Sequence, residues 1–100
     1  MFDIQDIDNI ESNDCTQEEY FASLQRAINS LTAWSMQGSY GRAMMQAIND
    51  GYCILGREHT RDYWGTRIPS RDEVKQGTKG SYDYVVQHQG QDWADYVSSI

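Results

Sequence analysis

Glu58, His59 and Asp62 stand within one short stretch, with Cys53 just upstream, and these are the side-chain types from which acid–base pairs and metal sites are built. The spacing Glu-His-x-x-Asp lacks the paired histidines of a helix-borne zinc signature, and His88 would have to complete the set from a distant helix. A surface histidine beside an ion pair accounts for the cluster better. Gly77-Thr78-Lys79-Gly80 resembles part of a phosphate-binding loop, but it lacks the full glycine–lysine–serine spacing and a strand feeding into it, so a flexible turn is expected. Cys53 would be a nucleophile only with a lowered pKa. It sits one turn before Arg57 on the flank of an otherwise apolar segment, where a partly buried structural thiol is expected. Cys15 precedes Tyr20 as a hydrophobic staple. No catalytic, cofactor or metal-ligating residue is assigned, and enzymatic activity is not expected.

Charge carries more information. The first 25 residues hold seven acids (Asp3, Asp6, Asp8, Glu11, Asp14, Glu18, Glu19) and no base, while six of the eight bases fall between Arg57 and Lys79. Sorted charge acts on partners, whereas interspersed charge mainly keeps a surface hydrated. If Asp3–Glu19 were helical, the seven acids would be spread over about 24 Å, or about 4 Å apart, against about 3.4 Å between phosphates along one DNA strand. The arm thus has two readings: a phosphate mimic for a basic groove, or a docking segment using Phe2 and its isoleucines with acids that steer. The loop of residues 57–79 combines Arg57, Arg61, Arg67, Arg71, Lys75 and Lys79 with Tyr63 and Trp64, a mixture used on single-stranded nucleic acid. Its own acids Glu58, Asp62, Asp72 and Glu73 reduce that charge. Internal pairing of the loop with the acidic arm, with Trp64 closing the core, is the expected arrangement.

These residues must be positioned by four pieces of chain. Residues 1–15 form an acidic arm, a short helix or extended segment docked through Ile4, Ile7 and Ile10 and broken near Ser12 and Asn13. Residues 16–38 read as a helix opened by the capping box Thr16/Glu19, with Tyr20, Phe21, Leu24, Ala27, Ile28, Leu31 and Trp34 on one arc and Gly38 as its stop. Ser39 caps a second helix, whose face Tyr40, Ala43, Met44, Ala47, Ile48, Gly51, Ile54 and Leu55 runs to Gly56, completing a helical hairpin over 16–56. A break at Asn49-Asp50-Gly51, with Tyr52–Leu55 as a short strand, is the alternative. Residues 57–80 are irregular, broken by Pro69 and several glycines, with a second capping box at Ser70/Glu73 predicting a short helix. Residues 81–100 read as a third helix with Tyr82, Val85, Val86, Trp93, Tyr96, Val97 and Ile100 facing the core. Tyr84, His88 and Asp95 lie opposite, and a strand near 82–86 is the alternative. The fold class is therefore mainly α in a single domain, 1–100, with an α+β alternative carrying a short strand near 52–55 or 82–86.

A chain of 100 residues with 39% apolar content fills one small core. Its net charge of −7 argues against general binding of nucleic acid or anionic membrane by the whole molecule. Two cysteines are too few for a disulfide framework, and the acidic start and absence of a long apolar run predict a cytoplasmic protein with reduced thiols.

In small size, acidity, lack of a catalytic motif and wealth of aromatic residues, the chain resembles phage-encoded counter-defence proteins of the anti-CRISPR and anti-restriction type. The resemblance is one of composition across the whole chain. It implies an inhibitor acting in the host cytoplasm and assigns no residue a role. The expected function is occlusion of a protein partner with a basic, nucleic-acid-handling surface, such as a CRISPR effector or nuclease. The expected contacts are Asp3, Asp6, Asp8, Glu11, Asp14, Arg61, Trp64, Arg67 and Tyr84. The alternative is a small nucleic-acid-binding or enzyme-accessory protein acting through the 57–79 loop.

Overall fold

Thr16 opens the first long helix as its residues dictate. Its hydroxyl accepts from the Glu19 N–H at 3.1 Å, and the Glu19 carboxylate accepts from the Thr16 N–H at 3.0 Å. In the computed structural model, which describes residues 2–12 and 14–100, this helix (α2) spans Gln17–Asn29 and stops well short of Gly38. The stop is Leu31, at φ 60°, a left-handed conformation that costs a residue with a side chain about 1–2 kcal/mol. The bend feeds a 3-10 turn, Ala33–Ser35, that turns Trp34 into the core at 1% exposure, its indole N–H donating to the Ile28 carbonyl at 3.1 Å.

Gly38 starts the next helix instead of ending the previous one. Helix α3 spans Gly38–Asn49, with Gln37, not Ser39, at the N-cap and no side-chain cap bond. It ends at the break that the Asn49-Asp50-Gly51 alternative places there, because Gly51 takes φ +80° and the His88 side chain lies where a Cβ would go. Residues 52–55 then leave the helix, with the Tyr52 and Cys53 N–H groups still bonding back to the Ala47 carbonyl, and form no strand. The buried Gln25 side chain takes the place of a neighbouring strand: its Oε1 accepts from the Ile54 N–H at 2.8 Å, and its Nε2 donates to the Ile54 carbonyl at 2.9 Å. Leu55 donates to the Gly80 carbonyl.

The small strand pair lies further on, at β1 (Thr60–Arg61) and β2 (Arg67–Ile68), antiparallel with Thr60 opposite Ile68 and Arg61 opposite Arg67. The second capping box is half made. The Glu73 carboxylate accepts from the Ser70 N–H at 2.8 Å, but residues 71–74 close as a turn and no helix follows. Helix α4 (Tyr82–Gln89) and helix α5 (Gln91–Ser99) replace the single C-terminal helix. Gly90 separates them at φ 93°, ψ 165°, a region open only to glycine.

Helix α1 (Ile4–Ser12) docks on α2, and α2, α3 and the 3-10 turn enclose the main core of Leu24, Ile28, Trp34, Met44, Ile48 and Cys53. A second cluster, Ile54, Val85, Ala94 and Val97, packs the α4–α5 pair against the segment after α3. The chain is mainly α with one two-stranded sheet among the described residues. None of its described helices is long and apolar enough to cross a membrane.

Candidate functional site

The acidic arm is helical because its own acids cap it. The Asp3 carboxylate accepts from the Asp6 N–H and the Asp6 carboxylate accepts from the Asp3 N–H, both at 3.1 Å. Asp6 is consequently not an exposed contact. It is 2% exposed, and its Oδ1 takes the Arg26 Nε–H at 2.8 Å and the Ser23 hydroxyl at 3.0 Å. Asn9, also buried, donates to Ser23. The arm therefore docks through Asp6 and Asn9, with Phe2 and Ile10 packing on the core, while Ile4 stands 83% exposed. Glu11 accepts from the Tyr40 hydroxyl, whose pKa is pushed up to about 12 by burial and by that bond. Asp8 and Asp14 are exposed and their carboxylates have no partner among the described residues. The expected break at Ser12–Asn13 falls partly on Asn13, outside the described residues.

The 57–79 loop does not neutralise this arm. No hydrogen bond or salt bridge joins the arm's described acids to the loop's cations; the arm's base is Arg26 of α2. The loop's arginines serve the loop itself, the C-terminal helix, the Leu55 carbonyl and the end of α2. Arg67 pairs with Glu73, whose carboxyl is held down at about 2 by the Ser70 N–H first and by Arg67 second. Arg61 donates to the Gly65 carbonyl at 2.9 Å, easing the like-charge apposition with Arg67 across the ladder. Arg71 is half-buried and donates to the Leu55 carbonyl at 2.8 Å and to Asn29, while Arg57 reaches the Ser98 carbonyl in the last turn of α5. Trp64 does not close the core. It is 56% exposed at the hairpin tip beside Tyr63, rests on Gly38 of α3, and has the Arg42 guanidinium 5.7 Å above its ring. Tyr84 is not a free contact either: its hydroxyl donates to the Asn49 carbonyl at 2.8 Å and its ring lies beside His88.

Of the chemistry-bearing residues, Asp62 accepts from the Trp64 and Thr66 N–H groups and so builds the hairpin turn, while Glu58 and His59 are exposed. Cys53 is fully buried, and burial pushes its thiol pKa far up. Gly77 donates to Ser81 within a turn.

A different surface brings acids and aromatic rings together. Three clefts of about 290, 420 and 290 Å³ meet along the exposed flank of α2, and Glu18 lines all three. The first is walled by Phe21 stacked on Tyr52, with ring centroids 3.9 Å apart, and by Trp93, whose indole N–H is fixed on the Tyr52 carbonyl at 2.7 Å. The second runs between Glu18 and Asp92 over Trp93 and Tyr96. The third ends at Arg26, which Asp6 already engages. Tyr96, expected in the core, is instead 47% exposed, because Gly90 reorients the second half of the C-terminal segment. Linear spacing places Glu18 and Trp93 in separate pieces of chain, so only the α2–α5 approach could bring this groove into view. Compared with known proteins, the chain matches no family model, no curated protein sequence and no solved structure.

Proposed function

We propose that the chain is a non-enzymatic inhibitor that binds and occludes a protein with a basic, nucleic-acid-handling surface, of the CRISPR-effector or nuclease kind, in the cytoplasm of a host cell. The observation that carries this reading is a one-signed surface: Asp8, Asp14, Glu18 and Asp92 are all exposed, and none has an internal ion pair among the described residues. Arg26, which lines the same flank, is engaged by Asp6. Carboxylates so exposed compete for a partner's phosphate-binding arginines and lysines, and long-range attraction speeds the encounter. The test is capture of partners from host extract followed by inhibition of the captured nucleic-acid enzyme. Asp8→Asn with Asp14→Asn is expected to weaken inhibition, most at low salt. Recovery of no basic protein, or inhibition indifferent to these changes, overturns the reading.

A second reading rests on the hairpin tip, where Tyr63 and Trp64 are exposed beside Arg42 and Arg61. Such a tip can stack unpaired bases. Binding of single-stranded DNA or RNA at low salt, lost on Arg61→Ala plus Arg67→Ala, would favour it.

A further inference from the structure

We infer that the groove between α2 and α5 is a recognition site for arginine side chains on an extended segment of the basic partner, an inference that rests on the occlusion reading and locates where the partner is gripped. Trp93 and Tyr96 present ring centroids 5.4 Å apart at 46°, and Glu18 and Asp92 line the same cleft. A guanidinium is planar and weakly hydrated, so it stacks on such rings while its N–H fork reaches carboxylates at the rim. A lysine ammonium can do one or the other less well. The field has the right sign even after the local helix ends are counted. Glu18 and Asp92 each lie in a first helical turn carrying roughly half a positive charge, which leaves the pair net negative by about one. Arg26 lies against the Tyr96 hydroxyl in the adjoining cleft, where its charge is matched by Asp6 and the Tyr96 ring is left 47% exposed. Clefts of roughly 300 Å³ and above are of ligand-binding size, and three of them side by side around Glu18 suit a chain segment better than one small cation.

The test uses a labelled synthetic peptide of alternating glycine and arginine, its lysine counterpart, and fluorescence polarisation near 0.15 M salt. The arginine peptide is expected to bind about three- to tenfold more tightly than the lysine peptide. Glu18→Gln with Asp92→Asn should weaken it about tenfold, and Tyr96→Leu, which keeps the apolar cover but removes the π face, about threefold. Circular dichroism checks that each variant is folded; Trp93→Phe supplies a second aromatic change if Tyr96→Leu is not. Equal loss on Asp8→Asn with Asp14→Asn would mean diffuse attraction and sink the site. So would spermine competing with the same dependence on these residues, or self-association abolished by the groove changes, which would make a second copy the occupant. The two readings fail separately. If groove variants still inhibit the captured enzyme fully, the arginine site falls and occlusion stands. If peptide binding follows the groove variants but no nucleic-acid enzyme is inhibited, occlusion falls and the site stands.

Discussion

Asp6 and Asp8 are neighbours in the same acidic arm, and at the residue scale they do opposite things. Asp6 is buried against Arg26, Ser23 and the Asp3 N–H, whereas Asp8 is exposed. Removing one partner of a buried charge pair leaves the other desolvated, at a cost of about 3–5 kcal/mol when both are fully buried. Arg26 keeps about a quarter of its side chain in water, so Asp6→Ala should cost about 2–3 kcal/mol, while Asp8→Ala stays within about 0.5 kcal/mol. Urea midpoints of the two variants check this, and similar midpoints would mean that Asp6 is not the arm's anchor. The two thiols divide in the same way. Cys53 is fully buried; Cys15 is half-buried, and its pKa is raised by desolvation and by Glu19, Asp14 and Asp8. Alkylation of the native protein near neutral pH should modify Cys15 alone, more slowly than a free thiol, and should reach Cys53 only after unfolding. Mass spectrometry of the digested product reads both sites.

At the scale of elements, the 67–73 link gives a pH signature. Glu73 titrates near 2 when folded, held down by the Ser70 N–H and by Arg67, against an ordinary value near 4.5. A depressed carboxyl pKa contributes stability that is complete above the unfolded value and is lost as pH falls through the folded one. Glu73→Gln should therefore reduce stability at pH 7 and flatten its decline between about pH 4.5 and pH 2, as followed by thermal melts. An undiminished slope in that window would remove Glu73 from the account. The capping of α2 was legible because Thr16 and Glu19 act locally, and the mainly helical class followed from apolar spacing. The ends of α2 and α3 and the Gly90 break were harder to read, because apolar residues continue on the same phase beyond each turn. Trp34 reaches the core through the Leu31 bend as well as a longer helix would have placed it. Ile54 remained ambiguous because its partner is the Gln25 side chain, 29 residues away, a contact no local window contains. The groove was hidden for the same reason, since it exists only where α2 meets α5.

At the scale of the whole molecule, salt should move folding and binding in opposite directions. The protein measures 31 × 30 × 20 Å and carries a net charge of −7. The Debye length is about 30 Å at 0.01 M salt and about 8 Å at 0.15 M, so at low salt every charge senses the full excess and at the higher value only its neighbours. Self-repulsion of the exposed acids then opposes the compact state most strongly in dilute buffer. Against it stand two salt bridges among the described residues. The Arg67–Glu73 pair is exposed and so weak and screened by salt, and the sheltered Asp6–Arg26 pair is little screened. Repulsion therefore prevails, and Tm should rise by roughly 4 °C, equivalent to about 1 kcal/mol, as sodium chloride goes from about 0.01 to 0.15 M. Over the same range, association with a basic partner of the proposed kind should slow and weaken, because the field that destabilises the fold is the one that would attract such a partner. Calorimetry and stopped-flow association on one salt series measure both. A Tm that falls with salt would mean that attraction dominates within the fold, and the one-signed surface would then be too weak to steer a partner.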